Sequence, residues 1–460
     1  MISLSIGHIA QIVNGTVVNA DVSAPVTGVV VDSREISPGC MFVAIPGERA
    51  DGHEFAEQAI GRGAAVVLAQ HQLLVPCIVV PDTVIALGLL ARHVRHQLVD
   101  CTVIAITGSS GKTSTKDLLA SVLSAKGPTI APIGSFNTEV GVPLTILRAD
   151  ESTRFLILEM GMRGIGHIAY LCAIASPEIG VLLNIGSAHL GMLGSRESVA
   201  QAKGEIIASL PAAGIAILNG DDPFVRLQEG STHARVVLFG QDPALRVRAS
   251  DIELDELARA RFTLSIGAEQ ARVALLVHGE HFISNALAVA AVASELGLPI
   301  AEIAALLGKA QIESRWRMEI SVTGQGAVII NDSYNANPES MRAALATLET
   351  MGRGRRTWAV LGQMLELGPE SEDEHAAIGQ RVAQLGVTSL ICVGEGARAI
   401  GDAAASDVSH AVNVIFVEDP DAAIAVLRKE VRSGDIVLIK ASRGVGLDRV
   451  AAVLTERDLA

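Results

Sequence analysis

The stretch GSSGKTS, which begins at Gly108, has the residue types of a phosphate-binding loop. Such loops usually read G-x-x-x-x-G-K-[ST], so the first glycine is expected at position 106, where the chain has Ile106. Backbone N–H groups at the start of a helix can hold phosphate oxygens, a lysine can reach the terminal phosphates, and a threonine hydroxyl can bind Mg²⁺. We therefore predict a shortened phosphate site formed by Gly108, Ser109, Ser110, Gly111, Lys112, Thr113 and Ser114.

Two predicted elements flank this loop and would position it. TVIAIT, before the loop, is typical of a buried strand. KTSTKDLLASVLSAKGP, after it, is typical of a helix with Leu118, Leu119, Val122 and Leu123 on one face. A glycine-rich turn without a ligand is the alternative, but a strand before and a helix after favour the phosphate site.

Polar residues also follow the next predicted strands. Glu159 ends the strand FLILE, and His189 lies in NIGSAHLG after GVLLN. Because ligands of open α/β sheets bind outside the carboxyl ends of the strands, we expect Glu159 to hold the same Mg²⁺ as Thr113, and His189 to contact metal or phosphate. An exposed strand end and a structural histidine are the alternatives. Lys203 falls in the middle of a predicted helix, where a surface lysine is the default expectation.

The order of elements predicts an α/β protein with three domains. Residues 1–98 alternate short strands and helices. Residues 99–312 repeat strand and helix around four aliphatic runs, which indicates a mostly parallel sheet of the P-loop ATPase type. Residues 313–460 contain five more strands with helices between them, which indicates a second, Rossmann-like doubly wound unit.

The composition limits the function. The chain has 460 residues and a formal net charge of −14, which is a poor match for nucleic-acid binding. Its five cysteines contain no C-x-x-C pair, which argues against a disulfide framework and a zinc site. The first residues lack the pattern of a signal peptide, and no run reaches the roughly 18 unbroken apolar residues of a spanning helix. We therefore expect a cytoplasmic protein without membrane insertion.

Five motifs, in order, resemble the Mur ligase family, the ATP-dependent amide-forming enzymes of peptidoglycan synthesis. They are TGSSGKTS, LEMG, NIGSAHLG, AKGEI and HFISNALAVAA, and the resemblance extends over essentially the whole chain. NDSYNANPESMRAAL and VLGQMLELG resemble the members that add D-alanyl-D-alanine, and the D-N-P-R motif typical of the diamino-acid-adding members is not found. Two departures are IKASRG in place of VKGSRS, and Gln363 where an aspartate is common, which removes an acidic contact there.

The resemblance implies two metal sites. Thr113 and Glu159 would bind one Mg²⁺, and His189 and Lys203 a second. The lysine is typically carbamylated in this family, because a neutral amine takes up CO₂ and becomes an anion that can ligate the metal. The catalytic residues implied are Lys112, Glu159, His189 and Lys203.

The resemblance also implies contacts for the substrates. Asn285 would contact the adenine, and Arg317 a phosphate. Further nucleotide contacts would be Asp332, Asn335 and Asn337, although Asn337 before Pro338 is also typical of a helix cap. The segment DSREISPGCMFVAIPG resembles a UDP-binding domain, and GSFNTEVGVPLTIL resembles a segment that contacts the nucleotide-linked substrate. The substrate residues implied are Asp32, Ser33, Arg34, Asn137 and Thr138.

The reaction implied joins D-alanyl-D-alanine to UDP-N-acetylmuramoyl-tripeptide, with ATP and two Mg²⁺, through an acyl phosphate in a monomeric enzyme. Two rivals lie within the superfamily: a diamino-acid-adding ligase and a folylpolyglutamate synthetase. The UDP-binding pattern counts against the second. A third rival is a regulator that binds ATP without forming a bond. Glu159, His189 and Lys203 on one rim favour catalysis over that reading.

Overall fold

The computed structural model describes residues 1–47, 50–187, 190–407 and 411–455. Three units follow one another along the chain, each built on its own main sheet. None of the helices in these residues is long and apolar enough to cross a membrane.

The N-terminal unit has a five-stranded sheet of order β2-β7-β6-β5-β4 and a two-stranded sheet of β1 and β3. Only β2 is antiparallel to its neighbour in the larger sheet. Pro38 and Gly39 form a turn just before β5, in which Gly39 has a φ of +83°. The elements are β1 (Leu4–Ser5), α1 (Ile6–Ile12), β2 (Thr16–Val18), β3 (Pro25–Val26), β4 (Gly28–Val30), β5 (Cys40–Val43), α2 (Ala56–Gly61), β6 (Val66–Ala69), β7 (Cys77–Val79) and α3 (Thr83–Gln97).

The central unit has a nine-stranded sheet of order β16-β15-β14-β13-β12-β11-β8-β10-β9. The four predicted aliphatic runs form parallel strands β8, β10, β11 and β12, as expected. The sheet also contains an antiparallel extension, β14 to β16, that the sequence analysis did not identify. The elements are β8 (Thr102–Thr107), α4 (Lys112–Ser124), β9 (Thr129–Ile130), α5 (Gly141–Ile146), β10 (Phe155–Glu159), α6 (His167–Ala175), β11 (Ile179–Leu182), α7 (Leu190–Leu193), α8 (Arg196–Ala208), β12 (Ile215–Asn219), α9 (Pro223–Arg226), β13 (Arg235–Gly240), β14 (Val247–Leu254), β15 (Arg259–Ile266), β16 (Glu269–His278), α10 (Phe282–Glu295) and α11 (Ile300–Leu307).

The C-terminal unit has a six-stranded sheet of order β17-β18-β22-β19-β20-β21, and only β17 is antiparallel to its neighbour. All five predicted strands are present. The elements are β17 (Glu319–Val322), β18 (Val328–Asn331), α12 (Pro338–Met351), β19 (Thr357–Gly362), α13 (Ser371–Gln384), β20 (Ser389–Val393), α14 (Arg398–Ser406), β21 (Asn413–Val417), α15 (Pro420–Glu430), β22 (Ile436–Lys440) and α16 (Asp448–Thr455).

Successive residues of β19 show that helices cover both faces of this sheet. Leu361 belongs to the buried cluster that contains Leu345 of α12 and Ile378 of α13. Val360 belongs to a second cluster, with Leu427 of α15 and Val450 of α16. The predicted doubly wound α/β class is therefore confirmed. The domain boundaries at 98/99 and 312/313 stay predictions.

Candidate active site

A cavity of about 660 Å³ lies between the central and C-terminal units. It is lined by the turn after β8, by the end of β10, by the start of α10, by the residues just before β17 and just after β18, and by the end of β22 with the residues that follow it. The cavity brings together thirteen residues that were predicted from the sequence to contact nucleotide, metal or substrate: Ser109, Ser110, Gly111, Lys112, Thr113, Ser114, Asn137, Glu159, Asn285, Arg317, Asp332, Asn335 and Asn337.

The loop at residues 108–111 is held in a fixed conformation. Gly111 caps α4 with a φ of +79°, a backbone angle that residues other than glycine rarely adopt. A Cβ there would lie 2.7 Å from Oδ1 of the buried Asn285. Asn184, just after β11, accepts a hydrogen bond of 2.9 Å from the Ser110 N–H. The loop is therefore set by the sheet and by α10 before any phosphate arrives.

A buried carboxylate faces the start of α4. The Thr113 hydroxyl donates to Oε2 of Glu159 at 2.8 Å, and the Asn137 amide donates to Oε1 at 2.7 Å. Thr113 and Glu159 are 2% and 1% exposed. Arg317, from the segment that enters the C-terminal unit, donates to the same Thr113 hydroxyl oxygen at 2.9 Å. A carboxylate, a hydroxyl and a guanidinium thus meet at one point of the cavity wall.

Two lysines share one backbone carbonyl. Nζ of Lys112 and Nζ of Lys203 lie 2.7 Å and 3.2 Å from the Gly108 oxygen. Burial, with the nearby Lys112 charge, lowers the pKa of Lys203 well below its ordinary value. Burial also lowers the pKa of Lys112, which the Glu159 carboxylate partly offsets. The surface position expected by default for Lys203 is wrong, because its side chain on α8 is fully buried.

The C-terminal unit contributes an ion pair. Nζ of Lys440, at the end of β22, lies 2.5 Å from Oδ2 of Asp332 and 2.9 Å from the Asn335 carbonyl oxygen. Burial lowers the pKa of Lys440, although Asp332 opposes that shift. The guanidinium of Arg317 lies over the Tyr334 ring, 4.1 Å from its centroid. The ion pair of Lys440 with Asp332 therefore fixes the turn after β18 at the edge of the cavity.

Asn337 forms the helix cap that the sequence offered as an alternative, and its contact with the nucleotide stays a prediction. Its side chain accepts from Ser340 N–H at 2.9 Å and caps α12 in a capping box. Its amide also donates to the Ser109 carbonyl at 3.2 Å, across the two units. Glu339, two residues on, accepts from the N–H of Ser187 at 2.9 Å. The start of α12 is thereby joined to the phosphate loop at Ser109 and to the segment after β11 at Ser187.

The remaining predicted residues lie elsewhere or cannot be placed. His189 lies outside the described residues. Asp32, Ser33 and Arg34 lie after β4 in the N-terminal unit and do not line the cavity. Thr138 lies one residue beyond Asn137, and its hydroxyl is 3.5 Å from the Gly141 N–H at the start of α5.

Comparisons with known proteins agree with this geometry. Three family models match, described as Mur ligase middle domain over residues 106–293, Mur ligase, glutamate ligase domain over residues 316–443, and Mur ligase family, catalytic domain over residues 25–94. The chain is 46% identical to the UDP-N-acetylmuramoyl-tripeptide–D-alanyl-D-alanine ligase of Mycobacterium tuberculosis (strain ATCC 25618 / H37Rv), with 100% of this chain and 99% of the relative covered. The chain belongs to the Mur ligase family.

Solved Mur ligase structures share the fold. A crystal structure of MurF from Acinetobacter baumannii is 30% identical, with a TM-score of 0.88 and 99% of each chain covered. The crystal structure of the Thermotoga maritima MurF ligase in complex with ADP is also 30% identical, with a TM-score of 0.80, and covers 93% of this chain and 97% of that one.

Several residues of this Mur ligase site were not predicted from the sequence. Asn184 and Lys440 each stand at or just after the carboxyl end of a parallel strand, so the rule that selected Glu159 would have selected them too. His281 lines the cavity beside α10, and burial lowers its pKa to about 4. It lies in the quoted stretch HFISNALAVAA, but no spacing rule distinguished it from a structural histidine.

Proposed function

We propose that this Mur ligase joins D-alanyl-D-alanine to UDP-N-acetylmuramoyl-tripeptide at the expense of ATP. The observation that supports this best is the buried contact of Glu159 with Thr113 beside a phosphate-type loop. A carboxylate fixed at the start of that helix suits a site that must hold a charged triphosphate together with a metal ion. The relatives named for this same reaction cover the chain from end to end.

We propose three functional domains with boundaries at residues 1–98, 99–312 and 313–460. The first would bind the UDP end of the substrate through Asp32, Ser33 and Arg34. Arg34 donates to Asp32, and this hydrogen bond lowers the pKa of Asp32 to about 2. The second would bind ATP and the third D-alanyl-D-alanine, in a cytoplasmic monomer. Asn137 and Thr138 would contact the peptide part of the UDP-linked substrate.

The chain would carry out the reaction in two steps. The terminal carboxylate of the tripeptide attacks the γ-phosphorus, ADP leaves, and an acyl phosphate forms. The amine of D-alanyl-D-alanine then attacks the acyl carbon, loses a proton, and expels phosphate. The loop N–H groups, Lys112 and Arg317 would offset the repulsion between carboxylate and triphosphate. Asn285 would contact the adenine, and Asp332 and Asn335 the nucleotide from the third domain. Positioning and charge compensation account for most of the catalysis in this scheme.

The residues present fit one divalent cation. Within residues 1–47, 50–187, 190–407 and 411–455, no group of three or more His, Cys, Asp and Glu side chains could hold a metal ion. Mg²⁺ accepts hydroxyl, phosphate and water oxygens beside one or two carboxylates, so Thr113 and Glu159 are a sufficient protein contribution. When bound, Mg²⁺ would neutralise the phosphate charge that builds up in the transfer. Glu159 would hold the Thr113 hydroxyl toward the loop throughout.

Lys203 fits a carbamate better than an ammonium. Its amine is fully buried and shares the Gly108 carbonyl with Lys112, which places two cationic groups in one small space. Neutralising one of them removes the repulsion, and only a neutral amine can take up CO₂. The resulting carbamate anion, with His189, would serve a second Mg²⁺.

Omission of single substrates tests the proposed function. ADP and phosphate should form only when ATP, UDP-linked tripeptide and D-alanyl-D-alanine are all present. Faster turnover with a free diamino acid and the UDP-linked dipeptide would assign the chain to the diamino-acid-adding ligases. ATP hydrolysis that ignores the dipeptide would favour a nucleotide-binding regulator.

A further inference from the structure

A buried ion pair on α4 has no part in the scheme above. Lys116 and Asp117 form an ion pair one helical turn beyond the phosphate loop, and they are 3% and 4% exposed. Charged side chains are seldom buried this completely unless further hydrogen bonds satisfy them. The partners of this pair therefore show which parts of the chain it holds together.

Ser314, in the segment that connects α11 with the C-terminal unit, contacts both residues of the pair, and Pro132 after β9 supplies a further acceptor. Oδ2 of Asp117 accepts from the backbone N–H of Ser314 at 3.0 Å. Nζ of Lys116 donates to the Ser314 hydroxyl at 3.3 Å and to the Pro132 carbonyl at 3.1 Å. A cavity of about 800 Å³ beside this bridge is lined by α4, by Lys309 and by residues 311–314. The segment thus borders a cavity where it faces α4, and the polar bridge anchors its end, Ser314, to the helix.

The anchored residue stands three positions before Arg317. On α4, Thr113 and Asp117 are four residues apart and therefore lie on the same face. Asp117 holds Ser314, while Thr113 receives the hydrogen bond from Arg317. The helix that carries the phosphate loop thus contacts the segment at two successive points.

The backbone between these contacts is constrained at its far end as well. The Met318 N–H donates to Oδ1 of Asp332 at 3.1 Å. Trp316 and Met318 have φ values of +62° and +51°, backbone angles that residues other than glycine rarely adopt. Such angles persist only where surrounding contacts enforce them. Arg317 therefore lies on a short strained stretch that is fixed at Ser314 on one side and at Met318 on the other.

We propose that Lys116 and Asp117 are positioning residues that place the Arg317 guanidinium at the phosphate site by holding Ser314 against α4. This inference rests on the proposed function for the role of Arg317. Neither residue of the pair touches the nucleotide in this scheme. Lys116 and Asp117 therefore affect turnover by positioning Arg317, and not by a separate effect on the stability of the protein.

A double-mutant cycle separates these two routes. Asp117→Ala should lower kcat at least tenfold in the otherwise unchanged protein, with a smaller change in KM for the UDP-linked substrate. In an Arg317→Ala background, the same substitution should lower kcat less than twofold. An equal loss in both backgrounds would overturn the proposal, because it would show that Asp117 acts independently of Arg317.

Asp435→Ala is the matched control. Asp435 is a buried carboxylate that also accepts from a backbone N–H, that of Arg432 at 2.9 Å, but it lies just before β22 in the C-terminal unit. Its effect on kcat should be the same with and without Arg317. Should Asp117→Ala fail to fold, Asp117→Val replaces it in the cycle, since it fills more of the space but offers no acceptor to the Ser314 N–H.

A second measurement does not depend on turnover. The chain has two tryptophans, Trp316 and Trp358, and Trp358 is only 2% exposed. Acrylamide quenching of the fluorescence therefore reports mainly on Trp316, two residues from Ser314. Asp117→Ala should increase that quenching, and unchanged quenching would contradict the anchor even if the proposed ligase reaction were wrong. If quenching increases in Asp117→Ala but the unchanged protein shows no ligase turnover, the proposed function is rejected and the contact between Asp117 and Ser314 is still supported.

Discussion

The cavity between the central and C-terminal units, here called the cleft, differs from the segment of residues 32–34 in how far its polar side chains are buried and fixed. Glu159 and Thr113 in the wall of the cleft, and Lys203 behind its phosphate loop, are almost completely buried and are held by residues from several parts of the chain. In the N-terminal segment, the Arg34 side chain is 83% exposed and its ion-pair partner is two residues away. A group fixed before the substrate arrives can stabilise charge that develops during reaction, whereas an exposed group contributes mainly to binding.

This contrast predicts its largest effect at Lys112. Lys112→Ala should abolish measurable ligation, because the cation nearest the phosphate loop is lost. The UDP-linked substrate should bind nearly as well as before, since its nucleotide end is assigned to another domain. Calorimetry on the variant measures that affinity, and a loss of more than tenfold, about 1.4 kcal/mol, would show that the two regions are not separate.

Lys203→Ala should also cost several orders of magnitude in kcat. Removing a group that merely supports a metal ligand typically costs about 10–100-fold, and loss of a ligand should cost more. Millimolar formate or acetate should restore part of the activity, because a small carboxylate can enter the vacated space. Lys203→Gln fills that space without an anion, so it should not be rescued. Wild-type-like turnover of the alanine variant without added acid would reject the carbamate.

The pH dependence of the unmodified enzyme sharpens the same point. The lowered pKa of Lys203 means that the neutral amine predominates above that value and the ammonium below it. Only the neutral amine takes up CO₂, so activity should fall toward acid pH and should rise with added bicarbonate. An enzyme that is indifferent to bicarbonate after removal of dissolved CO₂ would contradict this.

Gly111→Ala should have an intermediate effect, on stability as well as turnover. A side chain at φ +79° costs about 1–2 kcal/mol in the left-handed region, and the added Cβ would meet Asn285 at 2.7 Å. Chemical denaturation measures the loss. Gly230→Ala is the control, because no atom lies within 4 Å of its Cβ position, and it should change the free energy of unfolding far less.

Arg34→Ala should have the smallest effect. Among the residues that the structure describes, its guanidinium pairs only with Asp32, two residues away and in an exposed position, so stability should not change measurably. KM for the UDP-linked substrate should rise while kcat stays the same. A fall in kcat at saturating substrate would mean that this segment takes part in the chemical step.

The sequence predicted the local part of the site better than the assembled part. The loop, the strand before it and Glu159 follow from spacing and from the rule that parallel strands present their carboxyl ends to the ligand. The burial of Lys203 could not be predicted from the sequence, because the pattern of α8 is that of an ordinary helix. Only tertiary packing places its lysine behind Gly108. The anchor of Ser314 by Asp117 joins positions 197 residues apart, which no local pattern indicates.

The fold shows the same division. The aliphatic runs of β8, β10, β11 and β12 are buried on both faces and were recognised as parallel strands. Strand β14 has mixed burial, with exposed residues such as Ser250 and Asp251, and its register shifts after Ser250. Such a strand lacks a continuous apolar run, so it was not identified.

Transfer of oxygen tests the central claim most directly. The tripeptide is prepared with ¹⁸O in its terminal carboxylate and is ligated in unlabelled water. If the carboxylate attacks the γ-phosphorus, each phosphate released should carry one ¹⁸O atom by mass spectrometry, and the other should stay in the new amide. Phosphate without ¹⁸O, formed in step with the ligated product, would contradict the acyl-phosphate mechanism and the arrangement of the cleft proposed for it.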